Sequence, residues 1–235
     1  MNFSLFNIFK SNLYNLAMKV SMEVSPSIIS SDLSNLRDQI RQCDRVGVSS
    51  YHIDVMDGHF VNNITIGPDF VSAVRRSTDV RLEGHLMIER PDRYYREFIK
   101  SGIDNIICHV ETPISVGSFL HQLRNEGIEH GIAINPETPI EKIEPFLEGI
   151  STILVMSVHP GFSGQAFIPA VLEKITRAKS MIRENGYGIK IEVDGGIDDK
   201  TGVLAAKAGA DILVSASYIF GGNIMERIGK LKEIQ

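Results

Sequence analysis

Tyr51-His52-Ile53-Asp54-Val55-Met56-Asp57-Gly58 sets an imidazole and a carboxylate two residues apart on an apolar, β-branched background. In an extended strand, residues i and i+2 project from the same face. His52 and Asp54 therefore point together, while Ile53 and Val55 pack on the opposite side. A polar pair on a strand face, followed at once by Asp-Gly, is a poor way to build a core. It is a good way to hold a divalent metal or to move a proton. The run reads as a strand whose C-terminal end carries chemistry.

Working outward, short β-like runs alternate with amphipathic segments from Glu23 onward. The pattern predicts strands over 23–27, 49–54, 79–85, 105–110, 130–134, 152–157, 188–194 and 211–215. Helical patterns fall at 31–46, 90–101, 116–126, 140–147, 169–185, 200–208 and 223–234. Leu33, Leu36, Ile40 and Cys43 follow the spacing of one helix face. Ser31-Asp32 and Asp198-Asp199 are N-cap candidates, and Gly102, Gly127 and Gly186 punctuate C-terminal ends. Eight β-runs alternating with helices, with no obvious linker, predict an α/β chain folded as a single (β/α)8 TIM barrel. The competing doubly wound sheet lacks its Gly-x-Gly-x-x-Gly signature after the first strand. The unusual polar residues also sit at the C-terminal ends of several runs, where a barrel places its chemistry.

The bulk composition agrees with one barrel-sized domain: 235 residues, 43% hydrophobic and 23% charged. A formal charge of -5 without a Lys/Arg run argues against nucleic acid as a partner. No apolar run reaches the length of a membrane span, so no membrane partner is expected. Cys43 and Cys108 are too few for a disulfide framework and point to a reducing, cytoplasmic setting. Residues 1–22 differ from the rest, with Phe3, Phe6, Phe9 and Tyr14, two lysines and no acidic residue. They read as a short N-terminal extension to a domain over 23–235. The extension is an upstream start ahead of Met18 or Met22, a peripheral helix, or an acid-poor targeting segment.

Two further strand ends carry ligand-type residues. The third run ends Glu83-Gly84-His85-Leu86-Met87, and the seventh ends Glu192-Val193-Asp194-Gly195-Gly196. In a closed barrel these ends meet at one mouth with His52 and Asp54. Two imidazoles and two carboxylates would cancel the charge of a divalent cation; Zn, Mn, Fe and Co are all admissible. Each residue alone also reads as a rim residue or turn cap, but four polar groups at three strand ends are expensive to bury without a common partner. Phosphate chemistry supplies the other half. His159-Pro160-Gly161-Phe162-Ser163-Gly164-Gln165 follows the sixth run, Gly195-Gly196 the seventh, and Ala216-Ser217 the eighth. Barrels commonly bind phosphate on such loops through backbone N–H groups. The stretch is neither a nucleophile elbow nor a Walker-type loop.

Ser25-Pro26-Ser27-Ile28, the His52–Gly58 stretch, His85-Leu86-Met87, Asn135-Pro136-x-Thr138-Pro139, Met156-Ser157-Val158-x-Pro160-Gly161-Phe162 and Val193-Asp194-Gly195-Gly196 together resemble the ribulose-phosphate 3-epimerase family. The resemblance runs from about Val24 to the C-terminal helix. It implies a metal-dependent barrel enzyme that inverts C3 of D-ribulose 5-phosphate to give D-xylulose 5-phosphate in the pentose phosphate pathway. By motif, His52, Asp54, His85 and Asp194 would bind one divalent ion, Zn ahead of Fe, Mn or Co. Asp54 would be the proton acceptor and Asp194 the donor. Ser27, His85 and Asp194 would contact the substrate, and Gly161, Phe162, Ser163, Gly164, Gly195, Gly196, Ala216 and Ser217 would line the sugar-phosphate pocket. Met56, Met87 and Met156 resemble the family's methionines flooring the site. A small-molecule ketose phosphate is the expected partner, and the chain is expected to be a homo-oligomer.

Asn62, Ser163 and Ala216 depart from the family's proline, glycine and glycine, which touches pocket detail more than the catalytic set. The nearest rival is a D-allulose 6-phosphate 3-epimerase, which Asn135–Pro139 and Arg90-Pro91 resemble somewhat, although Gly195-Gly196-Ile197 leans back to the pentulose enzyme. A phosphate-dependent decarboxylase would carry Asp-x-Lys-x-x-Asp, and Asp54-Val55-Met56-Asp57 has no lysine. A non-catalytic sugar-phosphate-binding relative is disfavoured by the completeness of the ligand set.

Overall fold

The computed structural model describes residues 21–235. Its strands are β1 Glu23–Pro26, β2 Ser50–Met56, β3 Arg81–Met87, β4 Asn105–His109, β5 Glu129–Ile134, β6 Thr152–Met156, β7 Lys190–Asp194 and β8 Ile212–Ser215. All pair in parallel in the order β1-β8-β7-β6-β5-β4-β3-β2. At the seam between β1 and β2, Ser49 donates its backbone N–H to Val24 O at 3.1 Å and Ser50 Oγ donates to Ser25 Oγ at 2.8 Å. A parallel bridge between Ser27 and His52 completes the turn of the sheet on itself. The result is the expected (β/α)8 barrel. The extension assigned to 1–22 falls mostly outside the described residues; Met22 packs against the core.

The outer ring comprises α1 Leu36–Arg45, α2 Pro68–Arg75, α3 Pro91–Ser101, α4 Val116–Asn125, α5 Val171–Asn185, α6 Thr201–Ala208, α7 Ser217–Phe220 and α8 Ile224–Lys232. Two of these lie where the sequence predicted no helix. Gly67-Pro68 looks like loop chemistry, yet Pro68 occupies the first turn of α2, where its missing N–H costs nothing. The four residues of α7 are too few to show a period. The helix expected over 140–147 is instead a 3-10 segment, Ile140–Phe146, because Pro145 inside it removes a donor. The helix expected from Ser31 begins at Leu36, after two 3-10 turns, the second capped by Asp32 accepting from Ser34 N–H at 2.9 Å. Gly102 and Gly186 end α3 and α5 as predicted, in the left-handed conformation.

Alternation along each strand divides the buried residues into two populations. Ile53, Val55, Leu82, Leu86, Ile106, Ile132, Ile153, Val155 and Val193 face outward into the shell beneath the helices. The barrel interior is itself divided. On the β4–β6 side it is apolar, with Ile107, Ala133, Leu154, Met156 and Val158 in one cluster. Much of the remainder is polar, and Ser25, Ser27, His52, Asp54, Glu83, His85, Asn105, His109 and Glu192 are all buried there. At the opposite, N-terminal mouth, Lys190 pairs with Glu23 at 2.7 Å and Arg81 with Glu129. Such half-exposed pairs contribute about 0–1 kcal/mol each.

Close packing of the apolar half sets a prediction. A β-carbon on Gly131 would lie 2.5 Å from Thr152 O and 3.2 Å from Ile107 Cγ1, whereas one on Gly188 would meet nothing within 4 Å. Gly131→Ala is expected to lower stability by about 1–3 kcal/mol through overpacking, and Gly188→Ala to stay near wild type. Thermal denaturation of the two variants checks this; equal midpoints would contradict it.

Candidate active site

Strand register brings the polar residues of β2, β3 and β7 to one mouth. Asp54 pairs with His85 across β2–β3, and His52 with Glu83 one level below. On β7, Glu192 and Asp194 occupy the same two levels by the two-residue period. One ligand atom from each of His52, Asp54, His85 and Asp194 lies within 4.8 Å of the others. His52 Nε2 is 3.4 Å from Asp54 Oδ1, 3.1 Å from His85 Nδ1 and 3.9 Å from Asp194 Oδ2. His85 Nδ1 is 3.1 Å from Asp54 Oδ1. The four residues singled out as ligands in the sequence are thus brought together. Two imidazoles, once both rings are neutral, and two carboxylates fit a divalent cation in charge and donor type. The outward nitrogens fit as well: His52 Nδ1 is 3.1 Å from Glu83 Oε1, and His85 Nε2 is 2.8 Å from His109 Nε2. The carboxylate on His52 is the usual support of a metal-binding imidazole.

The electrostatics separate the two aspartates. Burial alone would raise Asp54, but His52 and His85 beside it hold it well below the ordinary carboxylate value. Asp194 is raised to about 7 by burial and by the charge of Asp54. Burial would lower His52, yet Asp54, Glu192 and Glu83 together hold it well above the ordinary histidine value. His85 is lowered to about 4, chiefly by burial. Glu192 is 3.4 Å from His52 Nδ1, and its carboxyl oxygens make no hydrogen bond. Burial and the neighbouring Glu83 charge raise it well above the ordinary carboxylate value. Asn105 steadies Glu83 by donating Nδ2–H to Oε2 at 2.6 Å.

Above this cluster lies a pocket. Its wall includes Ser27, Asp54, Asp194, the loop Gly161–Gln165, Gly195, Gly196, Ala216 and Ser217, and Met56, Met87 and Met156 line its floor. His85 and His52 are fully buried beneath it, so His85 meets the pocket only through Asp54. Ser27 Oγ donates to Asp54 Oδ2, holding the second carboxylate oxygen. Phe162 and Ser163 lie on the exposed crest of the loop. Gln165 staples that loop by donating to His159 O at 2.7 Å and Phe162 O at 2.8 Å, and Asn63 reaches Gly161 O at 2.7 Å. Gly196 sits at φ 62°, and a β-carbon there would lie 2.5 Å from Phe167 N. Ala216, by contrast, has φ -110°, outside the left-handed region that calls for glycine.

Several contributors escaped the sequence reading. Glu83 and Glu192 were visible as the inward i-2 neighbours of His85 and Asp194. His109-Val110-Glu111 repeats the His-x-carboxylate spacing of β2 at the end of β4. Asn63 carried no signal, because its partner lies across the mouth. Asp57 supports the loop. Its carboxylate accepts from the backbone N–H groups of His59, Phe60 and Glu89 at 2.8–2.9 Å, tying the β2 loop to the β3 loop.

The model of the ribulose-phosphate 3 epimerase family matches residues 23–220. A ribulose-phosphate 3-epimerase of Bacillus subtilis is 44% identical over 201 residues, covering 85% of this chain and 93% of that protein. One from Methanocaldococcus jannaschii is 44% identical over 200 residues, covering 85% of each chain. Among solved structures, 3-hexulose-6-phosphate synthase from Salmonella typhimurium superposes with a TM-score of 0.67 at 14% identity, over 91% of this chain and 98% of that one. That likeness speaks for the barrel alone. With 44% identity across nearly the whole barrel and a family match from β1 to α7, the chain belongs to the ribulose-phosphate 3-epimerase family.

Proposed function

We propose that this protein interconverts D-ribulose 5-phosphate and D-xylulose 5-phosphate by moving a proton at C3, with a divalent ion bound to His52, Asp54, His85 and Asp194. One observation carries the reading. Carboxylates from β2 and β7, Asp54 and Asp194, converge on one pocket, each within 4.8 Å of the other and of a nitrogen of His52 and His85. Inverting a carbon beside a carbonyl requires removal of a proton on one face and delivery on the other. Asp54 is the proton acceptor on one side of the mouth, and Asp194 delivers the proton from the other. When bound, the divalent ion supplies Lewis-acid stabilisation of the developing enediolate, worth several kcal/mol. Ser27 orients Asp54, and the three methionines present a non-ionisable floor that limits water. The loops after β6, β7 and β8 offer backbone N–H groups for the phosphate.

The hexulose-phosphate alternative draws no support from the pocket. Arg90 is taken up by Asp92 at the start of α3, at 2.9 and 2.6 Å, and neither Arg90-Pro91 nor residues 135–139 line the pocket wall.

Asp54→Asn and Asp194→Asn are each expected to lower kcat by about 10²–10⁴-fold or more, since each removes a positioned acid–base group. Circular dichroism should stay native. Near-wild-type turnover by either variant in a coupled xylulose 5-phosphate assay would contradict the two-carboxylate scheme. Exhaustive chelation should abolish activity, and Zn, Fe, Mn or Co should restore it. Full activity in a sample with no metal by elemental analysis would remove the metal from the reading. Proton–deuterium exchange at C3, followed by NMR with D-ribulose 5-phosphate and D-allulose 6-phosphate in parallel, tests the substrate. Exchange is expected to be faster with the pentulose, and faster hexulose exchange would overturn the choice.

A further inference from the structure

Two stretches remain without a task in the pocket: His109-Val110-Glu111 at the end of β4, and Asn135-Pro136-Glu137-Thr138-Pro139 after β5. They are joined to each other and to His85. His109 is fully buried, stacked on His85 with ring centroids 5.0 Å apart and covered by Phe60 at 4.8 Å. Its Nε2 lies 2.8 Å from His85 Nε2, and its Nδ1 lies 3.1 Å from Glu111 Oε2. Glu111 Oε1 in turn accepts the Asn135 backbone N–H at 2.9 Å, with the Thr138 side chain beside it. Lys174 on α5 clamps that loop by donating to Asn135 O at 2.5 Å and Pro136 O at 2.9 Å.

One placement of protons satisfies this chain when His85 serves as a ligand. His85 Nδ1 faces the cluster, so its lone pair must be free and the ring proton must sit on Nε2. That proton is buried, and the atom available to accept it is His109 Nε2. His109 must then carry its own proton on Nδ1, where Glu111 accepts it. His52 is keyed in the same sense but directly, with Nδ1–H donating to Glu83. Both imidazoles are therefore held by a carboxylate, one at first hand and one through a second imidazole.

We propose that His109 and Glu111, anchored by the 135–139 loop, are positioning residues that hold His85 in its Nδ1-ligand tautomer and so set the affinity of the site for a divalent cation. The inference rests on the metal-site reading above. It gives the Asn-Pro-x-Thr-Pro stretch a physical task, as the outer anchor of a relay.

The test uses full-length protein stripped of metal, with Zn²⁺ affinity measured by competition against a chromophoric chelator and the Co²⁺ visible spectrum as a signature of ligand geometry. Glu111→Ala and His109→Leu are expected to weaken Zn²⁺ binding about 10- to 100-fold, the usual effect of losing such a partner, and to alter the Co²⁺ bands. His109→Gln restores an acceptor for His85 Nε2–H and should recover part of the loss. Glu111→Gln keeps the side-chain volume and carries the test if the larger changes prevent folding; it should weaken Zn²⁺ binding several-fold. A purely structural role would lower thermal stability while leaving Zn²⁺ affinity and the Co²⁺ spectrum at wild-type values. That result would overturn the relay and leave the metal site standing. Wild-type protein that binds neither ion would overturn both.

Discussion

Asp54 and Asp194 repel each other across a barrel mouth where little water can screen them. Two like charges about 4 Å apart cost of order 4 kcal/mol at intermediate dielectric, and the surrounding residues are arranged around that cost. His52 and His85 lean on Asp54 and Ser27 holds its second oxygen, while burial and the charge of Asp54 raise the proton affinity of Asp194. That repulsion makes the site difficult to bury without a compensating charge. A cation placed among them would relieve the strain while leaving each carboxylate on its own side of the mouth.

The barrel interior accommodates this by dividing its labour. Ile107, Ala133, Leu154, Met156 and Val158 fill the β4–β6 side, where Gly131 permits close approach to β6. The other side is a layered polar assembly in which Glu83 supports His52, Asn105 supports Glu83, and His109 with Glu111 supports His85. Buried polar groups are tolerable only when each finds a partner. Glu192, whose carboxyl makes no hydrogen bond, has its proton affinity raised by burial and by Glu83. Stability and chemistry therefore occupy different sectors of one core.

Local pattern made much of this legible. The period of two located every strand and put His52 with Asp54 on one face; glycines marked the ends of α3 and α5. Local pattern failed where neighbouring atoms along the chain held no information. Pro68 opened a helix that looked like a loop, and Pro145 turned an apolar helical pattern into a 3-10 segment. Glu83, Glu192 and His109 had the right spacing from their partners' types, but along the chain they were ordinary polar residues in strands. Their partners lie on other strands.

The amino-acid sequence by itself determined the alternation of strands and helices, the inward direction of the polar residues and the donor set, because these follow from periods of two and 3.6 and from side-chain chemistry. Only the closed barrel decided that residues as distant as 52 and 194 share one small space, that the proton affinity of Asp54 is lowered while that of Asp194 is raised, and that His85 is reached through His109. Proton affinity and hydrogen-bond partnership depend on burial and on distances between strands, and those distances exist only once the sheet has closed on itself.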